Sequence, residues 1–317
     1  MQMKVLLTGA FGNIGPNVVE KLLEQGHQVR CFDRKTEATE KKADRFKEQV
    51  EVVWGDLRSP DDVAAALHDL DVVIHMAFAL PPFSERNPEK AHEINVGGTQ
   101  NILNTMKAAS PPPKIILIST SSVFKLDPNN RSQRTATDPV ESINHYTQHK
   151  LECEQLVQGC GMDWAIFRLG MVPPRATGLG PWAFSIPLDT QMQFLHPQDV
   201  GLALANAVTC NEIWGRILLI GSGPGSQIYY RDFIGRLMEA MGIGRLPDEA
   251  FDTTPYCTVW MDTSESQRLL NYQQQSFEEF AKEMSLLVGY RRYLVRLLRP
   301  FYRRRLIKKS PYFRAKK

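Results

Sequence analysis

Tyr146 and Lys150 stand four apart in Tyr146-Thr147-Gln148-His149-Lys150, on one face of the helix that this segment is expected to form. An ammonium one turn from a phenol favours the anion and lowers the phenol's pKa, so the pair reads as a tyrosine acid/base with its tuning lysine. Far upstream, Thr8-Gly9-Ala10-Phe11-Gly12-Asn13-Ile14-Gly15 follows an apolar run and opens a helical one. Gly9, Gly12 and Gly15 permit a tight turn and close backbone approach, which seats a pyrophosphate on the free N–H groups of a helix N-terminus. A plain strand–helix connector also tolerates three glycines. The acid at the end of the next apolar run favours the phosphate site. Asp33, 24 residues after Gly9, is placed to accept hydrogen bonds from an adenosine ribose and to repel a 2′-phosphate. The expected cofactor is NAD rather than NADP, with Lys150 also holding the nicotinamide ribose. Arg34 stacks on adenine, pairs with a phosphate, or is a solvated turn residue.

These groups need a scaffold. Apolar runs that read as strands are Lys4–Thr8, Gln28–Phe32, Val50–Trp54, Val72–Met76, Lys114–Ser119 and Trp164–Arg168. Helical patterns lie between them at Gly15–Gln25, Asp61–Leu67, Pro88–Ala109 and Tyr146–Gln158. Strand and helix in alternation, with strands rich in Val, Ile and Leu on both faces, predict a doubly wound parallel sheet of the α/β class. Pro111-Pro112-Pro113 stops one helix before the next strand. The polar stretch Lys125–Asn144 is a long loop ahead of Tyr146, where a substrate-facing segment belongs. After Arg168 the alternation thins. Gly170–Leu195 is rich in Pro and Gly, a helix begins near Asp199, a strand covers Arg216–Ile220, and a helix runs from about Tyr230 to Met241. Residues 170–195 and about 225–288 are expected to form a small substrate lobe interleaved with the sheet, making 1–288 one unit.

The 317 residues, 43% hydrophobic and 23% charged, can bury a full core. No stretch reaches the roughly 18 apolar residues of a membrane-spanning helix. The chain enters its first strand with no signal-peptide layout. Cys31, Cys153, Cys160, Cys210 and Cys257 are scattered without CxxC spacing and read as reduced thiols of a cytoplasmic protein. The net charge of +3 conceals a segregation. Gly289–Lys317 carries twelve Lys/Arg and no Asp/Glu, whereas residues 1–288 hold 26 basic and 35 acidic side chains, a balance of −9. The same segment repeats Tyr290, Tyr293, Leu294, Leu297, Leu298 and Phe301 at helical spacing with arginines between, and Pro300 should kink or end the helix. A basic amphipathic segment over 289–317 predicts contact with an anionic membrane surface. A partner-docking helix and a disordered tail compete with that reading; nucleic acid is the least expected partner.

Together these segments resemble the extended short-chain dehydrogenase/reductases. That group holds sugar-nucleotide epimerases and dehydratases, 3β-hydroxysteroid dehydrogenases and dihydroflavonol-type reductases. The resemblance runs from Met1 to about residue 288. It rests on Thr8–Gly15, Gly55-Asp56-Leu57, His75–Ala79, Asn95-Val96-Gly97-Gly98-Thr99, Ser119–Phe124, Tyr146–Lys150, Arg168–Pro174 and Leu195–Val200. It implies a Rossmann-type sheet in which Asp56 and Leu57 flank adenine and Met76, Ala77 and Phe78 line the cofactor's diphosphate and ribose. It implies further that Val172 lies beside the nicotinamide carboxamide and that Asn95 and Ser119 belong to the cofactor side. Thr120 matches the Ser/Thr that hydrogen-bonds the substrate oxygen, with Ser121 and Ser122 as its substitutes. Dehydratases of the group place an acid directly after this Thr to eliminate water, work that Ser121 and Ser122 cannot do. The 26 residues of Gly170–Leu195 are fewer than nucleotide-sugar enzymes spend there, which argues against a UDP-sugar.

The expected function is an NAD(P)-dependent oxidoreductase interconverting a secondary alcohol and a ketone on a small, fairly apolar molecule. Thr120 and Tyr146 hold the oxygen, Tyr146 exchanges the proton and Lys150 tunes it. The alternatives are an NAD-dependent epimerase of a sugar or nucleotide sugar and, outside catalysis, a dinucleotide-binding scaffold anchored by its tail. A second copy of the chain is a further expected partner. His145 and His149 lack a third ligand, so no metal site is expected. Asp199 reads as a helix N-cap, and His75 as packing beside the cofactor. Asn95 either structures the site through its amide or packs.

Overall fold

A computed structural model describes residues 1–127, 132–174, 180–254, 256 and 258–313. Residues 128–131 of the polar loop, 175–179 of the Pro/Gly-rich stretch, Cys257 and the last four residues of the basic tail lie outside the described residues.

The first half runs β1 (Lys4–Thr8), α1 (Gly15–Glu24), β2 (Gln28–Asp33), α2 (Glu37–Ala43), β3 (Glu51–Trp54), α3 (Pro60–Ala66), β4 (Val72–His75), α4 (Phe83–Arg86), α5 (Pro88–His92), α6 (Gly98–Lys107), β5 (Lys114–Thr120), α7 (His145–Gln158) and β6 (Trp164–Leu169). The second half runs β7 (Gln191–Gln193), α8 (Pro197–Ala207), β8 (Arg216–Ile220), β9 (Gln227–Tyr229), α9 (Tyr230–Ala240), α10 (Ser264–Leu270), α11 (Phe277–Val288), α12 (Arg291–Leu297) and α13 (Arg299–Ile307). Apolar runs without polar alternation must be covered on both faces, and here they make one seven-stranded parallel sheet in the order β3-β2-β1-β4-β5-β6-β8. One face is covered by α1 and α8, the other by α3, α6 and α7. Strand order reverses between β1 and β4, whose register sets Thr8 beside His75 at the carboxyl ends. A ligand crevice opens at such a switch point.

Two elements differ from the sequence expectation for local reasons. The helix expected over Pro88–Ala109 is interrupted, because Glu93–Gly97 takes a wider π turn between α5 and α6. That turn carries the buried Asn95, and single π turns of this kind frequently mark functional sites. Asp199 is not the cap of α8. Pro197 occupies the first turn, so His196 caps, its Nδ1 accepting the Gln198 amide at 3.2 Å. Asp199 lies within the first turn and buried, accepting the Ser222 hydroxyl at 2.8 Å and the amides of Gln274 and Gln275. Burial pushes its carboxyl up to about 6, with those three hydrogen bonds pulling it back.

The second half builds a separate aromatic core. Phe194 lies 5.4 Å from Phe277 and 5.5 Å from Phe280 between ring centroids, with α9, α11 and residues 183–188 around them. The basic segment folds back onto this lobe. Leu306, Ile307 and Phe313 pack against its core, and the buried Ser310 donates its hydroxyl to the Ala250 carbonyl at 2.5 Å. Arg299 donates to the Gly242 carbonyl and pairs with Glu239 at 2.7 Å. Pro300 stands in the first turn of α13, and α12 ends before it. Among the described residues no helix is long and apolar enough to cross a membrane, and Cys31, Cys153, Cys160 and Cys210 are free thiols.

Truncation after Val288 should therefore leave a folded chain whose lobe is weakened. The thermal midpoint is expected to fall by roughly 3–10 °C. An unchanged midpoint in scanning calorimetry would mean that the packing of residues 306–313 adds nothing.

Candidate active site

β1 ends on Thr8 and the chain turns at Gly9 with φ +69°, where a Cβ would lie 2.9 Å from the Ala77 backbone. Only glycine lets this turn touch the end of β4. Gly12 donates its amide to the Gly9 carbonyl at 3.1 Å, and a Cβ on Gly15 would collide with the Ala10 carbonyl. The amides of Asn13 and Ile14 meet no acceptor among the described residues, and α1 begins without a side-chain cap. Unfilled donors at a helix start, on a backbone surface bare of Cβ atoms, fit the pyrophosphate of a dinucleotide.

Asp33 Oδ2 accepts the Phe11 amide and Oδ1 the Arg34 amide, both at 2.8 Å, which leaves lone pairs for a ribose. Burial raises the Asp33 pKa, and those amides, then the charges of Arg34 and Lys42, pull it back. Lys42 is a residue the sequence reading missed. Its ammonium donates to the Phe11 and Gly12 carbonyls, each at 2.8 Å, and holds the turn from outside. The signal was available: Thr36 and Thr39 form a reciprocal cap that starts α2 and brings Lys42 round to the turn.

At the end of β4, Thr8 Oγ1 accepts the amides of Met76 and Ala77, both at 3.1 Å. His75 lies 2.8 Å from Thr8 Oγ1 through Nδ1 and 3.0 Å from Thr99 Oγ1 through Nε2. Thr99 gives its proton to the Asn95 carbonyl, so the network assigns the imidazole proton to Nε2. Burial takes the His75 pKa down to about 3 and keeps the ring neutral. Asn95 holds both the amide and the carbonyl of Ala79, at 2.6 and 3.2 Å, and so shapes the loop that follows Phe78. Asp56 pairs with Arg58 at 2.7 Å, Leu57 is buried beneath Gly98, and Val172 packs half-buried against the core behind β1.

The start of α7 is capped twice. Asn144 accepts the Thr147 amide at 2.8 Å, and the Glu85 carboxylate from α4 accepts the amides of His145 and Tyr146 at 3.2 and 3.0 Å. Glu85 was not foreseen, because no local pattern links it to a helix sixty residues on. The Tyr146 ring stands edge-on to Phe78 at 5.8 Å, and its phenol lies close enough to the Thr120 hydroxyl to be drawn down by it. Lys150 donates to the Ile118 carbonyl at 2.6 Å and lies 3.5 Å from the Phe78 ring centroid. Ser121, buried, and Ser122, half-buried, follow Thr120 in one tight turn. Ser119 turns the other way: its hydroxyl donates to Glu154 at 2.5 Å, and Arg168 clamps both oxygens of that carboxylate at 3.0 and 2.7 Å.

The electrostatics correct one expectation. Burial pushes the Tyr146 phenol up to about 12, against the pull of the Thr120 hydrogen bond. Lys150 does not bring it down, since its charge is spent on Ile118 and Phe78, and burial takes Lys150 itself down to about 8. In a water-poor pocket, desolvation outweighs one ammonium bonded elsewhere. His145, His149 and His92 cluster beside this helix, with His92 on Glu152 at 2.7 Å. Among the described residues no group of three ligands is placed to hold a metal ion.

Several large apolar side chains are exposed on the segments that cap or lead into the start of α7. Among the described residues outside 286–312, the large exposed apolar side chains are Met1, Leu80, Phe83, Val140, Ile143 and Tyr256. Leu80 and Phe83 precede Glu85, Val140 and Ile143 lead into α7, and Tyr256 is near enough to raise the Tyr146 phenol.

The family model described as the NAD dependent epimerase/dehydratase family matches residues 5–207. Over 244 residues the chain is 26% identical to a 3-beta-hydroxysteroid dehydrogenase of Mycolicibacterium neoaurum, covering 72% of this chain and 65% of that one. It is 29% identical over 193 residues to the sterol-4-alpha-carboxylate 3-dehydrogenase, decarboxylating, of Homo sapiens, covering 59% and 49%. The chain thus spans less than two thirds of the length of these relatives. The structure of UDP-glucose-4-epimerase from Stenotrophomonas maltophila matches with a TM-score of 0.76 at 19% identity, covering 90% and 98%, a likeness of fold.

Two tests follow from this geometry. Glu85→Ala should lower kcat by up to about tenfold while NAD affinity stays level, because the residue positions the start of α7 and does not touch the phosphate turn. An unchanged kcat would remove Glu85 from the site's design. Lys150, protonated when unfolded but disfavoured as a cation when folded, costs stability below about pH 8; that cost fades as pH rises toward its unfolded value. Relative to Lys150→Met, the wild-type chain should therefore gain on the order of 2 kcal/mol between pH 8 and 10 in urea titrations. A flat difference would place the ammonium in water.

Proposed function

The chain belongs to the NAD dependent epimerase/dehydratase family, and from that premise we propose that it interconverts a secondary alcohol and a ketone on a small, fairly apolar molecule. What supports this is the Tyr146 phenol close to Thr120, with the exposed apolar side chains of Leu80, Phe83, Val140 and Ile143, on the segments that cap and precede α7, as its rim. A nucleotide sugar has no use for such a rim, whereas a lipophilic ring system does. Two relatives named for steroid and sterol substrates support the same choice.

In this reading NAD, when bound, supplies the hydride acceptor. Gly9, Phe11, Gly12, Asn13, Ile14 and Gly15 would hold its pyrophosphate, Asp33 its adenosine ribose and Lys150 its nicotinamide ribose. Met76, Ala77, Phe78, Asp56, Leu57 and Val172 would line the rest, with Asn95 and Ser119 behind them. Thr120 and Tyr146 orient the substrate oxygen, helped by Ser121 and Ser122. The Tyr146 oxygen exchanges a proton with it: taken from the alcohol on oxidation, returned to the ketone on reduction. A phenol raised by burial keeps its proton near neutral pH, so oxidation of the alcohol should speed up as pH rises, while reduction is already served at neutral pH. The proposal includes a cytoplasmic setting for the free thiols, a second copy of the chain as partner, and an anionic membrane surface met by residues 289–317.

Incubation with NAD and a panel of hydroxysteroid-like alcohols, beside UDP-glucose, tests the reading by NADH absorbance. NADH should accumulate with the apolar alcohols, and Tyr146→Phe should lower turnover about 10²–10⁴-fold with NAD affinity retained. Calorimetric titration should show NAD binding more tightly than NADP, because of Asp33. UDP-sugar turnover without accumulated NADH would establish the epimerase instead.

A further inference from the structure

The surface of α11, α12 and α13 differs from the rest of the molecule. Among the described residues, eight of the fifteen large exposed apolar side chains fall between Leu286 and Phe301, with Leu297 at 79% exposure, Tyr290 at 74% and Leu286 at 68%. A patch of this density on a soluble chain marks a binding face. Beside it these helices and the end of α9 enclose a groove of about 530 Å³, a volume within the range of ligand sites. Its walls are Met241, Ile243, Val288, Leu294, Val295 and Leu306, and its charged lining is Arg291, Arg305 and Lys309. No carboxylate is among its described lining residues.

Charge decides what fits. Among the described residues of the segment, only Arg299 pairs with an acid, and Arg292 is engaged with Ser285 and Tyr293. The segment carries twelve cations and no anion, against −9 on the remainder of the chain. An apolar slot with cations in its lining and no acid suits an amphiphile with a long hydrocarbon chain and an anionic head.

We propose that this groove seats one acyl chain of an anionic phospholipid, with Arg291, Arg305 and Lys309 on its headgroup, and so docks the protein on an anionic bilayer. This rests on the membrane reading of residues 289–317 and adds a defined lipid site to it. The exposed leucines and aromatics beside the groove enter the interface around the seated lipid, while the acidic body is repelled from it.

Co-sedimentation of the full chain with phosphatidylcholine vesicles, with and without phosphatidylglycerol, tests both levels. The chain should bind the mixed vesicles, bind neutral ones on the order of a hundredfold more weakly, and release as salt rises. The triple variant Arg291→Gln/Arg305→Gln/Lys309→Gln should lose about ten times more affinity than the control triple Arg296→Gln/Arg303→Gln/Arg304→Gln. Both triples change partly exposed side chains, and circular dichroism melts confirm that each is folded. Leu294→Asp, in the groove but half exposed, should weaken binding with every cation in place. Equal losses from the two triples would overturn the groove while leaving diffuse membrane attraction standing. Failure of the full chain to bind mixed vesicles would overturn both. A dimer in light scattering that Leu294→Asp converts to monomer would assign the face to a second copy of the chain and overturn the lipid site.

Discussion

A buried ammonium needs partners, and those of Lys150 hold the site together. The charge sits on α7, its hydrogen-bond acceptor is the Ile118 carbonyl of β5, and the ring beneath it is Phe78 from the loop after β4. Three elements distant in sequence must therefore converge, or the charge is left uncompensated. One turn further along α7, Glu154 repeats the demand: Arg168 from β6 and Ser119 from β5 share its carboxylate, and both members of the ion pair are about 4% exposed. Removing one partner of such a pair costs about 3–5 kcal/mol. Two buried charges one turn apart fix both the height and the rotation of α7 against the sheet. That is what brings the Tyr146 side chain to Thr120.

The fold was legible because parallel strands covered on both faces read as continuous Val/Ile/Leu runs. All seven strands of the large sheet begin and end within one residue of the apolar runs that predicted them. The pieces that were not legible owe their structure to partners rather than to local pattern. β7 and β9 are three residues each and pair only with one another. Helix α11 follows a run of glutamines, and its Phe277, Phe280 and Met284 acquire meaning only once Phe194 and α9 are beside them. In the site, the residues of the Gly9–Gly15 turn, with Asp33, Tyr146 and Lys150, could be chosen by spacing. Glu85 and Glu154 could not, since each acts on a group brought to it by the tertiary fold, and the Thr36–Thr39 cap pointed to Lys42 only through the helix it starts. Asp199 failed as a cap for a local reason that the sequence did contain, the proline two residues before it.

The phenol illustrates the limit of arguing from neighbours alone. Spacing puts Lys150 on the face of α7 that carries Tyr146, and pairwise attraction alone favours the phenolate. Burial acts on the same two groups in the opposite sense, raising the phenol and depressing the ammonium, and here it wins for both. The same burial that depresses the ammonium makes the phenol a weak acid.

The same opposition between charge and burial bears on the basic segment. A flexible cationic tail would tether the protein to an anionic surface without orienting it, because a flexible chain transmits no torque. Residues 289–313 are not arranged that way. Leu306, Ile307 and Phe313 are anchored in the aromatic core of the lobe, Ser310 is tied to Ala250, and Arg299 to Gly242 and Glu239. Attraction of this segment and repulsion of the acidic remainder then act on one packed unit, and together they favour a single orientation. Under the proposed docking, the lobe interleaved with the catalytic sheet is the part held nearest the bilayer. The lipophilic alcohol proposed as substrate would be most concentrated in that layer, so the proposed docking and the proposed activity serve one end.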